Sequence, residues 1–279
     1  MVAELTAPKF GGWRFSAHLG ILRPDAPLLA ALAGSVDPTV QIARAAELGF
    51  SAVTDNCLKM RAPKVRRRMG EALRAHGLAM GSFTHNMPAS EPPFFWGART
   101  AELERALAAT LAAAADVGGG CVNAILLDSG DPPADQLARA ADNLAAAAEL
   151  CAANGVTMAV EAISRARVPL ALAEGVEVIA RLVRSAGPPL GLILDSAHCH
   201  CAGDDMADAI IAQADILAGV QLADMPGRVE PGAGTMDFAP ILTALRAIGW
   251  KGLVEAEFMP STPGPAGERA ALAALRALG

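Results

Sequence analysis

Short aliphatic runs alternate along this chain with longer stretches of helical period. Runs at Arg14–Leu19, Ser51–Thr54, Ala79–Phe83, Val122–Leu126, Thr157–Glu161, Leu190–Asp195, Ala218–Gln221 and Gly252–Glu257 read as strands. Between them lie Ala-rich segments whose apolar positions recur on one helical face. The segments "AAELGF" (45–50), "LRAHGL" (73–78), "CAANGV" (151–156) and "LRAIGW" (245–250) each place Gly or Asn-Gly between a helix and an apolar strand. "DPPADQLARAADNLAAAAEL" puts Pro ahead of a capped, amphipathic helix.

Eight strands with helical crossovers, at about 35 residues per unit, predict an α/β protein of the (β/α)8 TIM-barrel type. The alternative is an open doubly wound sheet. That fold usually has fewer strands and a Gly-rich first turn, where this chain has His18-Leu-Gly-Ile-Leu. No composition shift or long Gly/Ser linker divides residues 1–279, so a single domain is expected.

In such a barrel, chemistry sits at the carboxyl ends of the strands. Four consecutive predicted strands run apolar and then present an oxygen donor: Glu161, Asp195, Gln221 and Glu257. A single carboxylate at a strand end is commonly a helix cap. Three converging on one mouth would repel one another unless a cation lay between them. Three carboxylates and one amide oxygen make a hard-oxygen set suited to Mg²⁺ or Mn²⁺, with Co²⁺ or Zn²⁺ as the softer options.

The stretch "LILDSAHCHCAG" (192–203) has the look of a zinc knuckle. Its spacing matches neither the i, i+4 histidine pair nor Cys-x2-Cys, and no second cysteine pair lies downstream. Asp195 is the expected ligand. His198, one turn on, either bonds a substrate oxygen or caps a helix. His200, Cys199 and Cys201 read as local packing. The Pro/Gly-rich segment "ADMPGRVEPGAGTMDF" (223–238) follows the seventh strand and lacks the third Gly of a nucleotide fingerprint. It reads as a substrate-covering loop, in which Arg228 clamps an acidic group or pairs with Glu230.

Composition narrows the function. The net charge of −6 disfavours a surface that tracks nucleic-acid phosphates. The one basic cluster, Lys64-Val-Arg-Arg-Arg68, reads as a solvated helix face. The Ala-rich stretches are broken by charge too often to span a membrane. "MVAELTAPKFGGW" lacks a basic region followed by an apolar one, and five cysteines with no export signal suggest reduced thiols. A cytoplasmic protein is expected. No Gly-x-Ser-x-Gly elbow or P-loop is present to host covalent hydrolase or kinase chemistry.

With "VEAIS", "LILDSAHCH", "VQLADMPGRVEPGAG" and "GLVEAEFMP" in hand, the chain resembles the xylose isomerase-like TIM barrels, and among them the hydroxypyruvate isomerase branch. The resemblance spans the chain and is strongest from about residue 155 onward. It implies metal ligation by Glu161, Asp195, Gln221 and Glu257, with Glu161 and Glu257 also acting as the acid/base pair. His198 would polarise a substrate oxygen, and Arg228 with Glu230 would hold the substrate's acidic end. The segment "FTHNMPASEPPFFWG" (83–97) would correspond to the family's third-strand loop and place His85 and Asn86 against substrate. Departures occur where the branch often has other residues: His18 for Asn, Ser164 for Asn, Val229 for His and Thr235 for Glu.

The implied reaction is isomerisation of a small hydroxy-aldehyde to a hydroxy-ketone, of a hydroxypyruvate-like keto acid or sugar acid, through a cis-enediolate. A ketose 3-epimerase would use the same ligands. An endonuclease of abasic DNA, which shares the barrel, would want more His and a basic groove than five His and a charge of −6 supply. A non-catalytic sugar-binding barrel would be expected to have lost a ligand. The partner is thus a small molecule, with no nucleic acid and no membrane. The family's frequent dimers and tetramers make a homo-oligomer compatible with the reading.

Overall fold

The computed structural model describes residues 10–86 and 100–279. Nine parallel strands run β1 (Arg14–His18), β2 (Ala52–Thr54), β3 (Ala79–Met80), β4 (Ser82–Thr84), β5 (Cys121–Ala124), β6 (Thr157–Glu161), β7 (Gly191–Asp195), β8 (Leu217–Leu222) and β9 (Leu253–Ala256). They are ordered β3-β2-β1-β9-β8-β7-β6-β5-β4. Only Gly81 separates β3 from β4, and it bonds both ways: Gly81 N to Val53 O at 2.8 Å, and Cys121 N to Gly81 O at 3.1 Å. The sheet therefore closes into eight staves, the third broken at Gly81. The predicted strand Ala79–Phe83 spans that break, Thr157–Glu161 coincides with β6, and the other predicted strands differ from the observed ones by one or two residues at one or both ends.

Ten helices are described: α1 (Ala30–Ala33), α2 (Pro38–Leu48), α3 (Pro63–His76), α4 (Thr100–Val117), α5 (Pro133–Ala153), α6 (Val176–Ala186), α7 (Ser196–Ala202), α8 (Met206–Ala212), α9 (Ala239–Ala247) and α10 (Pro265–Ala277). Local chemistry sets their limits. For α2, the Asp37 carboxylate accepts from Thr39 N at 2.9 Å, Pro38 opens the first turn, and Gly49 closes it at φ +94°. Such a cap stabilises by about 1 kcal/mol. The predicted cap on α5 is absent: the helix begins at Pro133 with no side-chain bond to its first turn. The helix end needs fewer donors satisfied there, because Pro133 has no N–H.

One continuous core fills the space between barrel and helices, with Phe15, Val53, Phe83, Val122, Val160, Leu192, Val220 and Val254 buried on successive strands. The basic cluster is less solvated than expected. Arg66 is buried and pairs with Asp116 at 2.9 Å, while Arg67 and Arg68 face solvent. The packing of α3 against α4 explains this, since Arg66 lies on the shared face. No described helix is long and apolar enough to cross a membrane. The five cysteines are unpaired.

Candidate active site

Beyond the carboxyl ends of β6 and β9 lies a cavity of about 130 Å³ lined by Glu161, His198, Arg228, Glu257, Asn56 and Arg167, with Ile21, Leu22, Ile125, Ile163 and Val168 as apolar walls; Asp195 and Gln221 are not among its lining residues. A larger cavity of about 420 Å³ lies at the opposite end, around Trp13, Arg14, Trp250 and Lys251. No carboxylate lines it, whereas Glu161 and Glu257 line the smaller one.

Asp195 shows how the sequence builds the site. It closes β7 and caps α7 at once: Oδ1 accepts from Ala197 N at 2.7 Å and His198 N at 3.3 Å. That leaves Oδ2 for Arg228 Nη2, at 2.5 Å. The cap and ligand readings of Asp195 are therefore compatible. The same helix turns His198 back over β6, with His200 left in solvent.

His198 Nδ1 accepts the backbone N–H of Ser164 at 3.0 Å. A backbone N–H can only donate, so the neutral ring carries its proton on Nε2. That nitrogen lies 3.5 Å from Glu161 Oε1. Burial pulls the His198 pKa down to about 4, keeping the ring neutral near pH 7. His198 thus offers a neutral N–H donor to the cavity.

Arg228 is held by its loop. The buried Asp224 carboxylate collects the backbone N–H groups of Met225, Gly232, Gly234 and Met236 at 2.8–2.9 Å. A Cβ at Gly234 would stand 2.4 Å from Asp224 Oδ1, so the second Gly of "EPGAG" makes the turn possible. A short antiparallel bridge, Asp224 to Val229, closes the loop and leaves Arg228 at φ +56°, a left-handed backbone uncommon outside Gly. The guanidinium spans Asp195 and Glu257 Oε1, the latter at 2.9 Å, and Nε donates to Glu257 O at 2.9 Å. Glu230, by contrast, accepts from Ser261 N and Oγ, both at 2.7 Å, and does not line the cavity.

Glu161 and Glu257 are strongly perturbed. Burial, then the charges of Glu257 and Asp195, raise the Glu161 pKa well above its ordinary value. Burial lifts Glu257 to about 7, against the opposing pull of Arg228. Burial also works against the Arg228 charge, but Asp195, Glu257 and Glu161 outweigh it and hold the guanidinium protonated. The two findings agree physically: one cation faces three carboxylates. Fully ionised, the set keeps two uncompensated negative charges in a buried space.

Glu161, Asp195 and His198 offer ligand atoms within 4.8 Å of one another. With Nδ1 occupied and the proton on Nε2, His198 is the weakest of the three as a metal ligand. Gln221 lies beside Asp195 in register on β8, and its buried Oε1 has no hydrogen-bond partner. An orphaned buried oxygen costs about 1–3 kcal/mol unless something binds it. A hard divalent cation among carboxylate and amide oxygens fits both this atom and the uncompensated charge.

The remaining expected residues lie deeper in the wall. His85 Nδ1 meets Thr110 Oγ1 at 2.8 Å. Asn86 exchanges hydrogen bonds with the backbone of Ile125. Residues 87–97 of the expected third-strand loop lie outside the described residues. Three residues escaped the sequence reading. Asn123 donates to Glu161 Oε2 at 2.5 Å, and Asn56 to Glu257 Oε1 at 3.0 Å. The signal for Asn123 was a polar residue inside the apolar run of β5. Arg167 lines the cavity and makes no ion pair among the described residues.

A sequence profile described as xylose isomerase-like TIM barrel matches residues 42–278. A Streptomyces coelicolor protein provisionally named a hydroxypyruvate isomerase is 33% identical over 157 residues, 51% of this chain and 56% of that one. A 2-oxo-tetronate isomerase from Cupriavidus necator is 28% identical over 129 residues, 45% of this chain and 49% of that one. The chain spans about half the length of these curated relatives. The crystal structure of an AP endonuclease, family 2, from Brucella melitensis superposes with a TM-score of 0.76 at 22% identity, covering 91% of this chain and 96% of that one. At that identity the likeness concerns the fold. With the profile match running across most of the barrel, the chain belongs to the xylose isomerase-like TIM barrel family.

Proposed function

We propose that this protein is a divalent-metal-dependent isomerase that interconverts a small hydroxy-aldehyde and hydroxy-ketone, of the hydroxypyruvate or sugar-acid type, through a cis-enediolate. The observation that carries the reading is the pair of buried glutamates, Glu161 and Glu257, facing one small cavity, with Asp195 close to Glu161 and linked to Glu257 through Arg228. The isomerase names of the partial relatives agree with it.

Glu161, Asp195, Gln221 and Glu257 would hold the metal. Bound there, a divalent ion supplies Lewis acidity to a carbonyl and its neighbouring hydroxyl. The Glu257 carboxylate is buried, faces the cavity and is oriented by Arg228, which suits it to take up and release a substrate proton. It removes the proton from the hydroxyl-bearing carbon beside the carbonyl. Glu161 returns a proton to the former carbonyl carbon, and the hydroxyl proton passes to the other enediolate oxygen, so the carbonyl changes place. His198 Nε2–H donates to the substrate oxygen on which charge develops. Asn123 and Asn56 keep the two carboxylates aimed inward. Arg228, expected at the acidic end of the substrate, is engaged by Asp195 and Glu257. Arg167 supplies the remaining cation for that end, and the apolar walls limit the substrate to a small one.

The test is NMR detection of solvent-deuterium incorporation into small keto acids, hydroxy acids and ketoses by the metal-loaded protein. Exchange at a carbon next to a carbonyl, with aldose–ketose conversion, is expected. Exchange with inversion and no carbonyl movement would make the protein an epimerase. Absence of exchange on every candidate, with metal bound, would overturn the enediolate reading.

A further inference from the structure

Glu255 lies two residues before Glu257 on β9 and so faces the barrel interior one step below it. It is 4% exposed and belongs to none of the roles above. Among the described residues, the hydrogen bonds to its carboxylate are all donated to it: Ser82 N to Oε1 at 2.8 Å, Ser82 Oγ to Oε2 at 2.5 Å, and Gln221 Nε2 to Oε2 at 3.1 Å. Gln221 Nε2 also reaches Ser82 Oγ at 3.3 Å. The backbone makes room for this carboxylate. A Cβ on Gly81 would stand 2.6 Å from Glu255 Oε1, and Gly81 is the residue at which the third stave is broken.

This network decides which way the Gln221 amide faces. A flipped amide would turn its oxygen onto the carboxylate and the serine oxygen that now accept its N–H groups. That exchanges two hydrogen bonds for acceptor–acceptor repulsion. In the sheet, Gln221 stands between Glu255 on one side and Asp195 on the other. With the nitrogen drawn toward β9 and β4, the oxygen is left on the other side, buried and without a partner.

We propose that Glu255 is a positioning residue: its carboxylate, with Ser82, locks the Gln221 amide so that Oε1 is presented as a divalent-cation donor beside Asp195. The proposal rests on the metal-site reading above. Second partners of this kind commonly contribute ~10–100-fold to metal affinity.

The test is calorimetric titration of Mn²⁺ into the whole chain, for wild type, Glu255→Gln, Gln221→Met and the double variant, below each protein's melting temperature. Glu255→Gln keeps the shape but lets the position donate to a flipped amide. Its Mn²⁺ affinity should fall ~10–100-fold, Gln221→Met should fall at least as far, and the double variant should bind no worse than Gln221→Met. A structural role for Glu255 would instead lower the melting temperature and leave Mn²⁺ affinity unchanged, or add its loss to that of Gln221→Met. Either result overturns the proposal and leaves the isomerase reading standing. Should Glu255→Gln not fold, Ser82→Ala removes one anchor of the same amide without changing charge. An affinity drop in Ser82→Ala that vanishes on a Gln221→Met background supports the proposal, and wild-type affinity overturns it. Failure of wild type to bind Mn²⁺ sinks this proposal and the metal-site reading together.

Discussion

The two halves of the barrel use polar residues in different ways. From β6 to β9, Glu161 lies close to Asp195, and Arg228 bridges Asp195 to Glu257, the one cation ion-paired to these carboxylates among the described residues. From β1 to β5, polar residues near the same mouth are tied to the scaffold. His18 Nε2 lies 2.9 Å from Phe258 O, His85 meets Thr110, Asn86 meets Ile125, and Asp55 pairs with Arg61 at 2.5 Å. Asn123 and Asn56 are exceptions only in part, since they reach across to steady the carboxylates. The difference teaches that one half stores electrostatic strain and the other dissipates it. Buried, mutually repelling carboxylates are costly, and chemistry is placed where that cost is carried.

The largest expected effect comes from removing an acid/base carboxylate. Glu257→Gln should lower kcat by at least ~10²–10⁴-fold with an unchanged far-UV circular dichroism spectrum. Near-normal turnover would erase the proposed contrast between the halves.

Next comes the single cation. Arg228→Met leaves Asp195 and Glu257 without their buried partner. The metal-free protein should lose ~3 kcal/mol by urea unfolding, and bound Mn²⁺ should recover most of it. An equal loss with and without metal would mean that Arg228 acts outside the carboxylate cluster.

The third prediction uses pH. The folded Glu257 pKa of about 7 exceeds its ordinary value of 4.5, so its contribution to stability is full below about 4.5 and is lost as pH rises through 7. In metal-free protein, Glu257→Gln should therefore melt a few degrees above wild type at pH 8, on the order expected for 1–2 kcal/mol. The two should melt together at pH 4. A gap of the opposite sign at pH 8 would contradict a strained carboxylate.

A smaller change is expected at the rim. Arg167→Met should raise KM for an acidic substrate about tenfold, the equivalent of ~1.4 kcal/mol, with kcat nearly unchanged and with no effect on a neutral analogue. The smallest catalytic effect belongs to the first half. Asn86→Ala should cost ~1–2 kcal/mol of stability through the lost Ile125 bonds, while the kcat of the folded enzyme stays within about twofold, a difference of under ~0.5 kcal/mol. A large kcat loss there would return Asn86 to the substrate.

Much of this was legible in the sequence, for identifiable reasons. The alternation of aliphatic runs and helical segments produced the barrel because each strand had to be buried on both faces. Glu161, Asp195, Gln221 and Glu257 stood out because a polar residue ending an apolar run breaks the pattern. Asn56 and Arg167 broke no pattern, since loops are polar by default. Glu255 was hidden by Glu257, for two acids separated by one residue read as one strand end. The need for Gly at 81 was invisible because the Glu255 carboxylate that a Cβ there would meet lies 174 positions along the chain. The resemblance named Arg228 and Glu230 together, but only the three-dimensional loop separates them, one toward Asp195 and the other toward Ser261.

The central claim, that β6 to β9 form a divalent-cation site, is tested most directly by Mn²⁺ stoichiometry. Wild type should bind one ion per chain, and a protein carrying both Glu161→Gln and Asp195→Asn should bind none while remaining folded. No binding by wild type, or undiminished binding by the double variant, would contradict the account.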